Sequence, residues 1–484
     1  MAATAQPDTG VVDDDKLQTK TSHEEVQQDV DPASERKLKW KLDLFVLPVI
    51  SSVYFFASMG RSDLGNAQVA GMREELELSP KDYSNATTVF LVAYVLFQLP
   101  GTLLVKKIRA PVQFSGAMMV WGLITALTVF VKTPGQLLAV RFLVGMAEAF
   151  VQGGAFYLSF WYEYRELATR SAIFFSTSTL AGAFNGLIGY AIVKNLDGAN
   201  GWRAWRWIFL VEGVLPIAFS FVVLVLLPVS PTELRFGFTA EEKERLIQRS
   251  RRAHNNAEAR LEVKKIPNVL LSVHFWLYTL IYSCSHFCLS SLGNFLPSII
   301  QGFGYDKVGT QLFTVIVYAC ACFGIILWAR ISDRTNARGL TLAISTAGAV
   351  VGYAMLIGVT NDKVRFFATC LVAFSSYPNI VLMLSWAAMN FVGYTRRGSA
   401  LAFLNIFSQL FAISGNQAYL DPPYYRTGNA AALSMSAVIL ATSLVLHWYL
   451  GYLNKKKTEE QFSEKATQQR LQSLEDLGDK HPGI

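Results

Sequence analysis

Residues 137–160 read LLAVRFLVGMAEAFVQGGAFYLSF. The stretch is long enough to cross a bilayer as a helix, which takes about 20 apolar residues. It nevertheless holds Arg141 and Glu148. A charge at the centre of a membrane helix costs about 2.5–3.5 kcal/mol on insertion scales. At about 100° per residue, Glu148 returns almost to the face of Arg141, about 10.5 Å further along the axis. Gly145 and Gln152 fall on the same stripe. The stripe offers a fixed cation, a carboxyl able to take a proton, and a gap beside Gly145. Lipid cannot solvate such a face, so it is expected to look into a water-filled cavity or onto another helix. Two roles fit: a site on a transport pathway, the default for ionisable groups inside a membrane, or an Arg–Glu brace between helices.

The rest of the chain has the same character. Of its 484 residues 52% are hydrophobic, and the mean hydropathy is +0.31. That is too apolar for a soluble protein of this length, and the apolar residues come in long runs. Ten tryptophans and an aromatic content of 13% suit membrane interfaces. The net charge is +7, but the basic residues gather in loops. They read as topology signals, not as a nucleic-acid surface. The five cysteines all lie in apolar runs and read as free thiols. The six histidines show no paired metal-ligand spacing. No metal and no cofactor is expected. There is no nucleophile elbow or phosphate loop, so an enzyme is not expected either.

Twelve apolar runs fall near 43–68, 83–105, 113–131, 137–160, 171–193, 205–228, 271–299, 308–330, 339–359, 364–391, 398–418 and 430–453. They predict an all-α membrane protein of twelve transmembrane helices in two six-helix bundles. The division is a polar N-terminal tail at 1–40, a first bundle at 41–228, a central loop at 229–268, a second bundle at 269–453 and a tail at 454–484. Within the central loop, TAEEKERLIQRSRR predicts a short amphipathic helix. Short loops rich in Lys and Arg follow spans two, eight and ten, through Lys106, Lys107, Arg109, Arg330, Arg334, Arg338, Arg396 and Arg397. By the positive-inside rule both tails are cytosolic. The halves resemble each other weakly: span four exits through WYEYRELATRSAIFF and span ten through NFVGYTRRGSALAF. Two such halves around a central loop are the pattern of a transporter with its site at the repeat interface.

Several stretches carry a more specific likeness: RSDLGNAQVAGM, FLVAYVLFQLPGTLLVKKIR, RFLVGMAEAFVQGGAFYLSFWYEYRELATRSA, WRWIFLVEGVLPI and ARISDRTNAR. Over about residues 40–455 the chain resembles the major facilitator superfamily. Within it, the chain looks like the anion:cation symporter family, on the fungal branch of allantoate, nicotinate and vitamin permeases. That family's first span usually reads Asp-Arg-x-Asn. Here it reads Gly60-Arg61-Ser62-Asp63, so the Arg is kept and the Asp is lost. The resemblance implies that Arg61 and Arg141 face a central cavity and hold an anionic substrate. It implies that Glu148 couples transport to protons, and that Tyr94 and Asn405 are cavity positions. The facilitator loop motif is degenerate. Its first copy has Gly101 but Val105 and Lys106, and its second keeps Asp333, Arg334 and Arg338 with Ala329 for Gly. In relatives this loop latches helix ends, which implies a gating or structural role for Asp333, Arg334 and Arg338.

The chemistry agrees with that expectation. A carboxylate in a low-dielectric cavity needs fixed positive charge, and arginine supplies a planar two-pronged donor. Further candidates for substrate contact are Gln152, the i, i+4 pair Tyr282 and His286, and Tyr377. Each also reads as a helix–helix hydrogen bond. The expected partners are a small organic anion, a proton and the lipid bilayer, for a monomer in the plasma membrane. An exporter or uncoupled facilitator, favoured by the lost Asp, and a non-transporting nutrient sensor are the alternatives.

Overall fold

Among the described residues the core of this chain is built of helices, for a reason the bilayer imposes. Inside hydrocarbon every backbone N–H and C=O must be satisfied within the segment, and the α-helix does that. The computed structural model describes residues 32–104, 108–151, 153–158, 161–162, 164–234, 237–254, 269–391 and 394–461. Gln152, Val105, Lys106 and Lys107, named above, lie outside the described residues, as do most of the two tails and residues 255–268 of the central loop. The chain divides into two compact units, 1–46 and 47–484. The first holds one described helix, α1 (Pro32–Phe45).

The second unit holds the membrane helices: α2 (Leu47–Ala67), α3 (Pro80–Leu104), α4 (Ala110–Leu127), α5 (Pro134–Glu148), α6 (Tyr164–Asn195) and α7 (Ala204–Leu226). After α8 (Ala240–His254) come α9 (Val273–Gln301), α10 (Lys307–Thr335), α11 (Arg338–Gly358), α12 (Asp362–Asn390), α13 (Tyr394–Gln417) and α14 (Arg426–Gln461). The expected fold class is borne out: leaving out α1 and α8, twelve membrane helices form two six-helix bundles, α2–α7 and α9–α14. Among the described residues, 8 helices are long and apolar enough to cross a membrane by composition alone. The remaining four, α3, α6, α9 and α13, are as long but give polar residues to the interior, among them Thr87, Ser176, Asn294 and Asn405.

Local chemistry sets several helix starts. Thr133 caps α5 by accepting from the Gln136 N–H, with Pro134 in the first turn, and Asp306 caps α10 through the Gly309 N–H. Ser79 and Asp82 form a reciprocal capping box at α3, and Thr239 and Glu242 form one at α8. The segment TAEEKERLIQRSRR is thus helical from Ala240 to His254, and it is tied to α6 by an ion pair between Arg249 and Glu166.

Within the first bundle α4 packs on α7, α2 on α6, and α3 on α5. Within the second, α11 packs on α12 and α14, and α9 on α13. The bundles meet through α6 with α10, α3 with α13, and α2 with α9. Side-chain bonds close this seam at the end that carries the connections 76–79, 302–306 and 418–425. The Tyr83 hydroxyl donates to the Asn294 carbonyl at 2.6 Å, and Ser84 to the Asn416 carbonyl at 2.8 Å. Ser298 donates to Gln68 at 2.8 Å, Gln417 to Thr88 at 2.8 Å, and Gln311 to the Asn66 carbonyl at 3.2 Å. The ring of Tyr83 packs edge-on against Phe295, 5.1 Å between centroids.

Candidate functional site

Beyond that closed seam the bundles enclose a cavity of about 220 Å³. Its wall takes Arg61, Tyr94 and Arg141 from the first bundle and Tyr282, His286, Tyr377 and Asn405 from the second. These seven were all singled out in the sequence. Glu148 stands just behind the wall, 1% exposed and bonded to Arg61. Asp333 and Arg334 lie exposed at the end of α10, and Arg338 begins α11, away from the cavity lining.

The charges are arranged differently from the simple stripe on α5. Arg141 and Glu148 are both buried, at 4% and 1%, but they are not paired with each other. Glu148 reaches across to α2, where the Arg61 Nε donates to its Oε1 at 2.6 Å and the second guanidinium nitrogen lies at 2.6 Å. The Arg61 side chain keeps 30% of its surface open to the cavity. It lies over the Tyr94 ring at 4.9 Å and the Tyr54 ring at 5.7 Å. Arg141 instead donates one bond, to the Gly60 carbonyl at 3.3 Å, and sits 5.4 Å from the Phe90 ring. Its Nε has no hydrogen-bond partner among the described residues. The Arg–Glu brace exists, but it runs between α2 and α5. The gap expected beside Gly145 is filled, because Gly145 lies directly against the Phe90 backbone of α3.

A fixed cation that is desolvated, faces a cavity and has unused donors is an anion site. The opposite wall gives it shape. His286 packs on Tyr282 with centroids 4.4 Å apart, and Tyr377 on Tyr318 at 6.0 Å. Gln409 donates to the Asn405 side chain at 3.4 Å. Tyr54, Phe90, Asn294 and Tyr318 also line the cavity and were not singled out. Tyr54 stands seven residues before Arg61, the same interval that joins Arg141 to Glu148, so a heptad search from Arg61 finds it. Asp63 lies about 200° around the helix from Arg61. It does avoid the cavity wall, but it is the fourth charge-bearing group of this cluster and is itself buried, at 1% exposure.

Comparison with known proteins places the arrangement. The profile of the Major Facilitator Superfamily matches residues 50–416. An uncharacterized transporter of Schizosaccharomyces pombe is 33% identical over 432 residues, covering 88% of this chain and 85% of its own length. The High-affinity nicotinic acid transporter of Saccharomyces cerevisiae is 28% identical over 447 residues, covering 91% of this chain and 83% of its own. In fold, the chain is similar to a bacterial homolog of the human lysosomal transporter Spinster, solved in an inward-facing and unoccupied conformation. The TM-score is 0.64 at 15% identity, covering 84% of this chain and 96% of that one. A profile that covers most of the chain and relatives aligned along nearly its whole length agree with the two bundles and their shared cavity: this chain belongs to the Major Facilitator Superfamily.

Proposed function

We propose that the chain moves a small organic anion across the membrane by alternating access, in symport with protons. The observation that carries this reading is Arg141: buried, in the cavity wall, and with unused donors where Arg61 already has Glu148. Arg141 takes the substrate carboxylate. A proton on Glu148 weakens its hold on Arg61, which then turns its open face to the same anion. The aromatic walls of Tyr54, Phe90, Tyr94 and Tyr282 favour a flat organic body over an inorganic ion. The nicotinic acid transporter among the relatives supports the same class.

In this reading the closed seam is the outer gate, both tails are cytosolic, and the membrane is the plasma membrane. Asp333, Arg334 and Arg338 belong to the inner gate. The chain works as a monomer, with a rocking of one bundle on the other. The deciding experiment is uptake of a panel of labelled organic acids, nicotinate among them, into cells expressing the protein. Accumulation that a protonophore abolishes is the expected result. Accumulation indifferent to the protonophore favours an uncoupled facilitator, and no uptake of any acid removes the reading.

A further inference from the structure

We propose that Asp63 is a second proton-accepting carboxyl, one that ties the charge of the anion site to the contact between the two bundles. The proposal rests on the anion–proton symport reading above. Asp63 sits on α2 at 1% exposure. Its Oδ1 accepts from the Asn185 amide of α6 at 2.9 Å, while Oδ2 has no partner among the described residues. Oδ2 lies on the Gly60 side of the helix, 3.9 Å from where a Cβ on Gly60 would stand. The Gly60 carbonyl is the group that holds Arg141. The free oxygen of Asp63 and the Gly60 carbonyl that holds Arg141 thus belong to one turn of α2.

The other side of Asp63 leads to the second bundle. The Asn185 amide also donates to the Ser62 hydroxyl at 2.8 Å, and its oxygen accepts from Asn66 at 2.7 Å. The Asn66 carbonyl in turn accepts from Gln311 of α10 at 3.2 Å. Asn66, Asn185 and Gln311 are 2%, 0% and 0% exposed. Gln311 packs so closely on Gly189 of α6 that a Cβ there would stand 2.9 Å from its Oε1. A chain of buried hydrogen bonds, its last link through the Asn66 backbone carbonyl, therefore runs from a carboxyl near the anion site to the seam. Buried networks of this kind respond as a unit when one member changes charge.

The charges acting on Asp63 are Arg141 and Glu148, both of α5. From α6 it meets the neutral Asn185. Of the other helices on α2, α7 carries Glu212, a buried carboxyl, and α9 carries His286, on which the Arg61 charge acts. With Asp63 and Glu148 ionised, the cluster Arg61, Arg141, Asp63 and Glu148 has no net charge, so an anion adds an uncompensated one. When water on the outer side gives a proton to Oδ2, an O–H bond forms, the cluster gains one positive charge, and the anion restores neutrality. On the inner side water takes the proton back as the anion leaves. The proton completes the only free oxygen of the carboxyl in the closed-seam arrangement, so low pH favours that arrangement.

The test reads conformation without substrate. Spin labels are placed at Glu74→Cys and Leu420→Cys, on opposite sides of the seam, in a chain whose five cysteines are replaced. A tenfold difference in proton affinity between two states shifts their ratio by up to about tenfold. Between about pH 8 and about pH 5 the wild-type population is expected to move toward the short spacing by about that factor. Asp63→Asn is expected to show the short spacing at both values, and Asp63→Glu to regain the pH response. If Asp63→Asn does not reach the membrane, Asn185→Ala keeps the carboxyl, removes its donor, and is expected to flatten the response. A wild-type spacing that ignores pH, Asp63→Asn or Asn185→Ala responding as wild type does, or Asp63→Glu failing to respond, overturns the proposal. Anion counterflow in wild-type vesicles tests the transport reading separately, so the failure of one is not mistaken for the failure of the other.

Discussion

Replacing Arg141 by lysine keeps the positive charge of the cavity wall and removes its fork. One guanidinium nitrogen of Arg141 is already given to the Gly60 carbonyl, and the Nε edge is unused. A carboxylate docking on the guanidinium takes two parallel donors from arginine and one from lysine. The loss is one hydrogen bond to a charged group, about 1.5–3 kcal/mol. That corresponds to about a 10- to 100-fold rise in the dissociation constant. Arg61→Lys is the control. At neutral pH its guanidinium is engaged by Glu148 at 2.6 Å, and lysine keeps that ion pair. Its effect is expected to stay near 1 kcal/mol, or about fivefold. The assay is equilibrium binding of the best-transported acid to purified protein, which leaves out coupling and rocking. Arg141→Lys binding within about twofold of wild type would refute the fork argument and leave Arg141 as a point charge or a brace.

Three further outcomes follow from the same geometry. Glu148→Gln removes the charge that holds Arg61, so counterflow in vesicles should persist while proton-driven accumulation fails; accumulation at the wild-type rate would place coupling elsewhere. Gly145→Ala drives a methyl group into the Phe90 carbonyl, an overpacking worth about 1–3 kcal/mol, and should lower the unfolding midpoint in detergent, where an unchanged midpoint would contradict the close approach. Tyr83→Phe deletes the donor to the Asn294 carbonyl, worth about 1 kcal/mol, and should raise the long-spacing population between labels at Glu74 and Leu420 about fivefold; no shift would show that this bond does not hold the seam.

Apolar runs marked the membrane helices well because hydropathy and the bilayer are one constraint. They did not mark helix ends, since a helix continues past the lipid wherever its backbone bonds do. The run at 171–193 lies inside α6 (Tyr164–Asn195), and the run at 430–453 lies inside α14 (Arg426–Gln461). Periodicity along α5 placed Arg141 and Glu148 on one buried stripe but could not say which neighbour each would choose. That choice depends on how α2 crosses α5, which is a tertiary fact. Arg61 therefore took Glu148, and the Gly60 carbonyl took Arg141. The place of Asp63 depends on its neighbours in the same way. Measured from Arg61 it points away, yet it lies one turn from Gly60, which is the side that matters to Arg141.

The closed seam carries a kinetic consequence. Its donors are side chains, and Asn294, Asn66 and Asn416 accept through backbone oxygens that belong to helices on the far side. A carbonyl has two lone pairs, so the Asn294 oxygen inside α9 can take Tyr83 without giving up its own helical turn. Parting the bundles then breaks no helix. Each such bond is worth about 1 kcal/mol net, so a handful of them holds the seam by only a few kcal/mol, and its opening is left to the collective bundle motion, on the microsecond-to-millisecond scale of such movements. Turnover on that scale needs no unfolding step, and its speed can be tuned one hydroxyl or amide at a time.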